Sequence, residues 1–464
     1  MPTIRQSNKA LTVNPLRVSQ PMGASLAFMG LARAVPLEHG AQGCTAFSKV
    51  FFTRHFREPI PLQTTAMDHT VTVMGADDNV VEALATVATR HAPEVVGLVT
   101  TGLAETQGVD ILRCLAEFRA GRPEFAGLAV VPVNTPDTEG CLESGYALAV
   151  EAMIVNLVPE TRQAGRLRDQ VNVLAASMLS PGDVDAVRDW LAAFGLRARI
   201  LPDLGTALDG HLDAGGYSDL TTGGIGRGEL AGLGESAATL VIGASMARAA
   251  DLLKARTGVP DYRFDSLMGL ARCDAFTQAL VDITGRPVPE RIERARAQLA
   301  DAMVDCHFPL GGARVAVAAD PDLLLAWTDY LAGLGAATPV AVAAAQAPSL
   351  QRVAAEEVVV GDLEDLEAMA RSLGVDLLVG NSHAAPSALR LAKPLVRAGF
   401  PLHDQYGAHA RARVGYAGSR DSLFELANLL AGQRNEIAPY RSIYRTDAPR
   451  GPDAAGCFRA DPCC

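Results

Sequence analysis

The sequence lacks the local motifs from which metal and catalytic sites are usually predicted. Its eight cysteines are scattered over 464 residues and contain no CxxC pair, which excludes a self-contained zinc site or ferredoxin-type cluster. Walker A, G-x-S-x-G and H-E-x-x-H sequences are also missing. The pattern therefore does not indicate P-loop phosphate binding, a serine hydrolase or a zinc protease.

Positive charge and long apolar runs are equally scarce. Lys and Arg number 41 against 52 Asp and Glu, a net charge of −11, so there is no basic surplus to attract nucleic acid or an anionic membrane. The longest mildly apolar run, Ala24 to Val35, is too short to span a bilayer. The first twenty residues contain no signal-peptide core. We expect a cytoplasmic protein without a disulfide framework.

One glycine-rich stretch, "TTGGIGRGEL" (Thr221 to Leu230), invites comparison with dinucleotide-binding loops. Its G-x-G-x-x-G spacing fails at Glu229, and the preceding residues "YSDL" do not resemble a strand. A flexible turn, in which glycines permit positive φ, is the other interpretation. A nucleotide-binding α/β enzyme stays open as an alternative.

The regular feature of the chain is an alternation of short β-branched runs, small-residue loops and helix-length stretches. This rhythm is typical of parallel βαβ units, and the length predicts about three domains. The predicted fold class is therefore α/β, with three Rossmann-like domains and mostly parallel sheets. We expect an arm over 1–18, domains over 19–165 plus 404–440, 166–285 and 286–403, and a disordered tail over 441–464.

Cys44 differs from the other cysteines in its surroundings, "HGAQGCTAF". The flanking Gly40 and Gly43 allow the backbone to approach a bulky group closely. A helix-length run follows, so the helix dipole is expected to lower the pKa of the thiol. Cys44 is either a metal ligand or a buried structural cysteine. Because an iron–sulfur cubane normally takes four protein ligands, a cluster on Cys44 would need most of its ligands from another chain.

Several long motifs, in order, resemble the NifN branch of the nitrogenase component 1 family, whose other members are NifD, NifK and NifE. They are "LTVNPLRVSQPMGASLAFMG", "HGAQGCTAF", "RHFREPIPLQTTAM" and "GFPLHDQYGAHARARVGYAGSRDSLFELANLL". The resemblance runs from about Leu11 to Asn435. It implies a non-catalytic scaffold subunit for the biosynthesis of the nitrogenase iron–molybdenum cofactor.

The same resemblance implies partners and cofactors. The chain would pair with NifE in an α2β2 heterotetramer, work with the nitrogenase iron protein, and exchange cofactor with precursor-donating and cofactor-receiving proteins. The complex would hold the cofactor precursor transiently, mainly in the α-like chain. A catalytic nitrogenase-like reductase β subunit is the alternative.

Departures from the catalytic β subunit bear on that choice. The catalytic subunit supplies three cysteines and a serine to its interfacial cluster; this chain has Ser19, Cys44, Gly102 and Asp137 at the four positions. The resemblance therefore implies a [4Fe–4S] cluster shared with the partner, to which Cys44 gives the fourth ligand.

Residues beside that ligand are also singled out by the resemblance. Ser19, Gly43 and Gly102 could lie next to the cluster, as could Asp137; a capping serine and a turn aspartate are the alternative interpretations of Ser19 and Asp137. A lineage-specific disordered tail or, alternatively, a metal-capturing tail would account for Cys457, Cys463 and Cys464.

Overall fold

The computed structural model describes residues 1–208 and 218–433. Its strands are β1 (Thr3–Gln6), β2 (Ala34–His39), β3 (Gln63–Thr64), β4 (Val95–Thr100), β5 (Ala129–Val133), β6 (Leu167–Ala175), β7 (Arg197–Leu201), β8 (Ser236–Ile242), β9 (Asp261–Phe264), β10 (Arg314–Ala319), β11 (Ala337–Ala343), β12 (Glu357–Val360), β13 (Leu377–Gly380) and β14 (Leu395–Arg397). They form three sheets, in which every strand pair is parallel. The predicted fold class is confirmed.

Helices connect these strands. They are α1 (Gln20–Met29), α2 (Gln42–Phe56), α3 (His69–Met74), α4 (Asp77–His91), α5 (Gly102–Gln107), α6 (Ile111–Gly121), α7 (Leu142–Leu157), α8 (Pro181–Ala193), α9 (Leu204–Ala207), α10 (Arg227–Ala231), α11 (Ala247–Thr257), α12 (Leu270–Thr284), α13 (Glu290–Asp305), α14 (His307–Leu310), α15 (Pro321–Gly333), α16 (Leu363–Leu373), α17 (Ala385–Leu391) and α18 (Gly415–Ala431). Short 3₁₀ helices cover Pro123–Phe125, Gly232–Glu235, Ala244–Met246, Pro348–Arg352 and Ser382–Ala384. In these described ranges, no helix combines the length and apolar character needed to cross a membrane.

The first sheet, in the order β3-β2-β4-β5, positions the predicted cysteine. Helices α1, α2 and α7 contribute to the core on one face, and α4 and α6 cover the other. The chain therefore leaves β2 toward one face and β4 toward the other. This is a topological switch point, where open parallel sheets bind ligands beyond the carboxyl ends of their strands.

The second and third sheets share a large apolar core. Their strand orders are β7-β6-β8-β9 and β1-β12-β11-β10-β13-β14. β1, from the predicted N-terminal arm, is the edge strand of the third sheet and pairs with β12. The arm therefore attaches the amino-terminal segment to the third sheet.

The segment after β14 divides between two parts of the molecule. Phe400, which lies within the predicted range 286–403, contacts the rings of Phe52, His55 and Phe56 on α2. Helix α18 instead packs mainly against α12, α13 and α14. Grouping 404–440 with the first domain stays a prediction, because the amphipathic pattern of α18 predicts a buried face but not the surface that buries it.

The remaining predicted domain boundaries stay a prediction. The three sheets fall in the same order along the chain as the three predicted blocks. The predicted tail over 441–464, with Cys457, Cys463 and Cys464, lies outside the described residues.

Candidate metal-ligand site

Cys44 is the third residue of α2, just beyond the carboxyl end of β2. Of the five cysteines in the described part of the chain, it alone is exposed; Cys114, Cys141, Cys273 and Cys306 are buried. A Cβ built on Gly43 would meet no atom within 4 Å. The structure therefore presents the thiol on an accessible turn, and the buried structural alternative for Cys44 is wrong.

The other three predicted positions, Ser19, Gly102 and Asp137, lie near one another, and Asp137 connects them to Cys44. The backbone N–H of Gln20, next to Ser19, donates to the Asp137 carboxylate. A Cβ built on Gly102 would lie 3.4 Å from the Asp137 Cβ and 3.2 Å from the Pro136 carbonyl oxygen. The charge of Asp137 also acts on the Cys44 thiol. The fold thus brings together loops separated by more than a hundred residues.

The simpler interpretations of Ser19 and Asp137 have different outcomes. Ser19 precedes α1, but its side chain makes no capping hydrogen bond, so the capping interpretation is wrong. Asp137 has φ 59°, in the left-handed region that aspartate tolerates better than most residues, so the turn interpretation is confirmed. The Arg17 Nη2 donates to the Asp137 carbonyl at 2.6 Å and fixes this turn.

The electrostatic environment of Cys44 reverses one sequence-based expectation. Partial burial, followed by the negative charges of Glu38 and Asp137, raises the pKa of the Cys44 thiol. The lowered pKa expected from the helix N-terminus is therefore wrong for the chain alone. A bound metal ion reverses this bias, because coordination deprotonates a thiol outright.

Sequence reasoning missed Glu38, which lies beneath the same turn. Its side chain is 1% exposed and accepts hydrogen bonds from Ser25 Oγ and Thr45 Oγ1, both at 2.9 Å. Burial raises the Glu38 pKa, and the hydroxyls of Thr45, Ser25 and Ser48 oppose that shift. A signal was present, since a carboxylate in the otherwise uncharged run "AVPLEH" predicts a buried polar contact.

Neighbouring loops hold the turn before Cys44 in place. Thr101 Oγ1 donates to the His39 carbonyl at 2.9 Å, and the His39 Nδ1 and Thr65 Oγ1 lie 2.9 Å apart. Burial lowers the pKa of His39 to about 4, so the imidazole is neutral at pH 7. A Cβ on Gly40 would approach Thr101 Oγ1 to 2.4 Å, so only glycine permits this contact.

The donor set fits one shared ligand rather than a complete metal site. Within residues 1–208 and 218–433, no three His, Cys, Asp or Glu side chains are arranged to hold a metal ion. A cubane that takes one thiolate from this chain would therefore draw its remaining protein ligands from elsewhere. The donors near Cys44 are carboxylates, and no second thiol accompanies it among the described cysteines.

Apolar side chains extend the exposed surface from Cys44 along α2. Phe47 is 71% exposed and Val50 is 51% exposed, and both follow Cys44 at three-residue spacing. Residues three and four apart share a helix face. Exposed apolar side chains that lie side by side, rather than scattered singly, are typical of an interaction surface.

The glycine-rich stretch has a structural role. Gly223 and Gly224 have φ 68° and 81°, as the turn interpretation predicted. The Thr221 hydroxyl donates to the Leu31 carbonyl, and Ile225 forms a bridge with Leu31. The loop is therefore packed against the segment between α1 and β2.

A cavity of about 90 Å³ lies where the second and third sheets face the first. Its lining includes Asp183, Asp320, Arg397 and His409. The His409 Nδ1 is buried without a hydrogen-bond partner, although no motif singled out this histidine. The volume accommodates several water molecules.

Comparisons with known proteins identify the family of this chain. Residues 19–431 match the family model described as nitrogenase component 1 type oxidoreductase. The chain is 45% identical to the nitrogenase iron-molybdenum cofactor biosynthesis protein NifN of Klebsiella pneumoniae, over 99% of this chain and 100% of that protein. It is 44% identical to the NifN protein of Bradyrhizobium diazoefficiens, over 94% of this chain and 93% of that one.

A solved structure has the same fold as this chain. A chain of nitrogenase Cp1 at pH 6.5 superimposes with a TM-score of 0.87 and 29% identity, over 93% of this chain and 96% of that chain. The family match spans β2 to β14 and includes the Cys44 loop. This chain belongs to the nitrogenase component 1 type oxidoreductase family.

Proposed function

We propose that the chain acts in the biosynthesis of the nitrogenase iron–molybdenum cofactor, as a β-like scaffold subunit. The relatives of known role carry that function in their names and match nearly the full length of this chain. The observation that carries the proposal is Cys44, the one exposed thiol among the five described cysteines, at a sheet's switch point. A subunit that contributes one ligand to a shared centre needs this arrangement.

In this proposal, Cys44 gives its thiolate to a [4Fe–4S] cluster at the interface with NifE, and the partner provides the other ligands. The cluster, when bound, supplies one-electron chemistry. Loops after β2, β4 and β5 hold Cys44, Gly102 and Asp137 around the position, and Ser19 lies beside them. The apolar face at Phe47 and Val50 would be covered by the partner, which would keep water from the cluster.

The proposed role is assembly rather than substrate reduction. The resemblance puts Ser19 and Gly102 at positions where the catalytic β subunit has thiols, which argues against its larger cluster in this chain. We propose an α2β2 complex with NifE that holds the cofactor precursor transiently. It would receive the precursor from a donor protein, mature it with the nitrogenase iron protein, and pass the product to an acceptor.

The test is replacement of the ligand in the intact complex. Cys44→Ala, co-expressed anaerobically with the partner, should lower the iron content by about one cluster for each pair of subunits and abolish the EPR signal of the reduced cluster. Cys114→Ala is a matched control, because Cys114 is a buried thiol on α6, which packs against the first sheet. The control should retain both iron and signal.

Two results would contradict the proposal. Unchanged iron content and EPR signal in Cys44→Ala would remove Cys44 as a ligand. Acetylene reduction at enzyme-like rates by the purified complex would instead favour a catalytic nitrogenase-like reductase.

A further inference from the structure

Glu38 occupies an unusual position for a carboxylate, because it lies on β2, an interior strand of a parallel sheet. Every residue of β2 is buried, and Glu38 lies one residue before its end. An ionised carboxylate is costly to bury unless hydrogen bonds satisfy it. The hydroxyls of Ser25 and Thr45 supply those bonds, each at 2.9 Å.

These two hydrogen bonds connect three elements around the ligand turn. Ser25 belongs to α1, Glu38 to β2, and Thr45 to the first turn of α2, directly after Cys44. One helical turn later, Ser48 Oγ donates to the Cys44 carbonyl at 3.2 Å. Cys44 is thus followed by a residue that the buried carboxylate holds in place.

Helix α2 needs such an anchor because its N-terminus has no side-chain cap. The residue before the helix is Ala41, which makes no side-chain hydrogen bond to the first turn. A helix start without a side-chain cap is less stable than a capped one. The hydrogen bond from Thr45 to Glu38 therefore stabilises the first turn of α2, which carries Cys44. In most helices a side-chain cap at the N-terminus has this role.

We propose that Glu38 is a positioning residue for the shared cluster: it fixes the Cys44 turn and places a negative charge beneath it. The inference rests on the proposed function. Iron–sulfur reduction potentials depend on nearby net charge and hydrogen bonding. The hydroxyl donors to both carboxylate oxygens favour the ionised form of Glu38, and this charge would oppose the addition of an electron to the cluster and lower its midpoint potential.

The first experiment separates charge from shape. Glu38→Gln keeps the length and the hydrogen-bonding capacity of the side chain but removes the charge. In the complex purified anaerobically with its partner, a dithionite titration followed by EPR should give a more positive midpoint potential, with iron content unchanged. Glu367→Gln is the control, since Glu367 is a carboxylate on α16, against the third sheet, that accepts a hydrogen bond from Arg390. That variant should keep the wild-type potential.

The second experiment separates positioning from charge. Thr45→Val removes the hydroxyl next to Cys44 and leaves the Glu38 charge in place. We expect faster loss of iron to a chelator and a broadened EPR signal, whereas Ser25→Ala, which removes the bond from α1, should change both much less. A purely structural role for Glu38 would alter chelator resistance without moving the midpoint potential of Glu38→Gln.

The outcomes distinguish this inference from the function on which it rests. If Cys44→Ala retains the cluster, the proposed function fails. If Cys44→Ala loses the cluster while Glu38→Gln and Thr45→Val both match the wild type in potential, signal and iron retention, only the role of Glu38 is overturned. Co-purification of each variant with the partner checks that it folds.

Discussion

At the scale of single residues, burial determines the charge of a histidine on the helix that carries Cys44. His55 is 8% exposed near the end of α2, and its Nδ1 accepts a hydrogen bond from the Leu402 backbone N–H at 2.8 Å. Burial, followed by the neighbouring His409 and His403, lowers the His55 pKa to about 3. The imidazole therefore stays neutral in the folded protein.

This burial predicts a loss of stability in mild acid. Below the unfolded pKa of about 6.5, the unfolded chain protonates His55 and the folded chain does not, so stability falls as the pH falls from 6.5 toward 3. Between pH 7.5 and pH 5.5 the cost is about 1.4 kcal/mol. The urea concentration at the midpoint of unfolding should therefore fall more for wild type than for His55→Gln over this pH interval.

The control for this prediction is His69→Gln, which changes an exposed histidine at the start of α3. It should follow the wild type over the same pH interval. An equal acid sensitivity of His55→Gln and wild type would show that another group causes the loss.

The residues of the site were predictable to different extents. Cys44 could be singled out because its loop and its missing companion thiols are visible in the sequence. Glu38 and the convergence on Asp137 could not, because their partners come from other elements and only the tertiary fold brings them together. The pKa of Cys44 was predicted in the wrong direction because the acidic neighbours Glu38 and Asp137 are themselves placed by the fold.

At the scale of elements, the crossing of α1 and α7 depends on two glycines. A Cβ on Gly23 would lie 1.9 Å from the Leu142 carbonyl oxygen, and one on Gly145 would lie 2.0 Å from the Gln20 carbonyl oxygen. Real Cβ atoms do not approach backbone so closely. Since Ser19 precedes α1, the same crossing positions one wall of the candidate site.

Gly145→Ala should therefore push the two helices apart and destabilise the first sheet. Overpacking of this kind costs about 3 kcal/mol, and calorimetry should show a lower unfolding temperature. Gly121→Ala, on α6, is the matched control because its Cβ would meet no atom within 4 Å. It should be neutral, or stabilising by about 0.5 kcal/mol; an equal loss in both variants would contradict the close crossing.

Local patterns predicted the strands and long helices well but not their packing partners. The alternation of strand and helix gave the correct class because it reflects backbone periodicity. The contacts of α18 with α12, α13 and α14, and the glycine crossing of α1 and α7, depend on which apolar surfaces meet in space. No pattern within a single helix contains that information.

At the scale of the whole molecule, the N-terminal arm is attached to the third sheet by charge as well as by β1. The Lys9 ammonium pairs with Asp362, and with Glu364 and Asp365 at 3.1 and 3.2 Å. The Val13 backbone N–H donates to Asp362 at 2.9 Å. Asp362 also caps α16, so the arm and this helix share one carboxylate.

Lys9→Met should loosen the arm without unfolding the sheets. Loss of the Lys9 ion pairs would cost about 1 kcal/mol. The fraction of molecules in which the arm is detached would therefore increase about fivefold. Hydrogen exchange of residues 3–6 and 357–360 should become faster in that proportion. Lys254→Met, which breaks an ion pair with Asp261 at 2.9 Å far from the arm in sequence, should leave both segments unchanged. Protection of β1 in Lys9→Met equal to that of wild type would contradict the anchoring role of Lys9.

The pairing of β1 with β12 also fixes an order of events during synthesis. Arg5 on β1 bonds Glu357 on β12 across 352 residues of sequence. At ribosomal rates of 5–20 residues per second, the first strand waits about 20 to 70 seconds for its neighbour to emerge. The sheet that carries Cys44 is complete by residue 133, so the cluster ligand can be in its folded surroundings while the amino terminus is still an unpaired strand. Although β1 is synthesised before every other strand of its sheet, it is thus among the last to be paired.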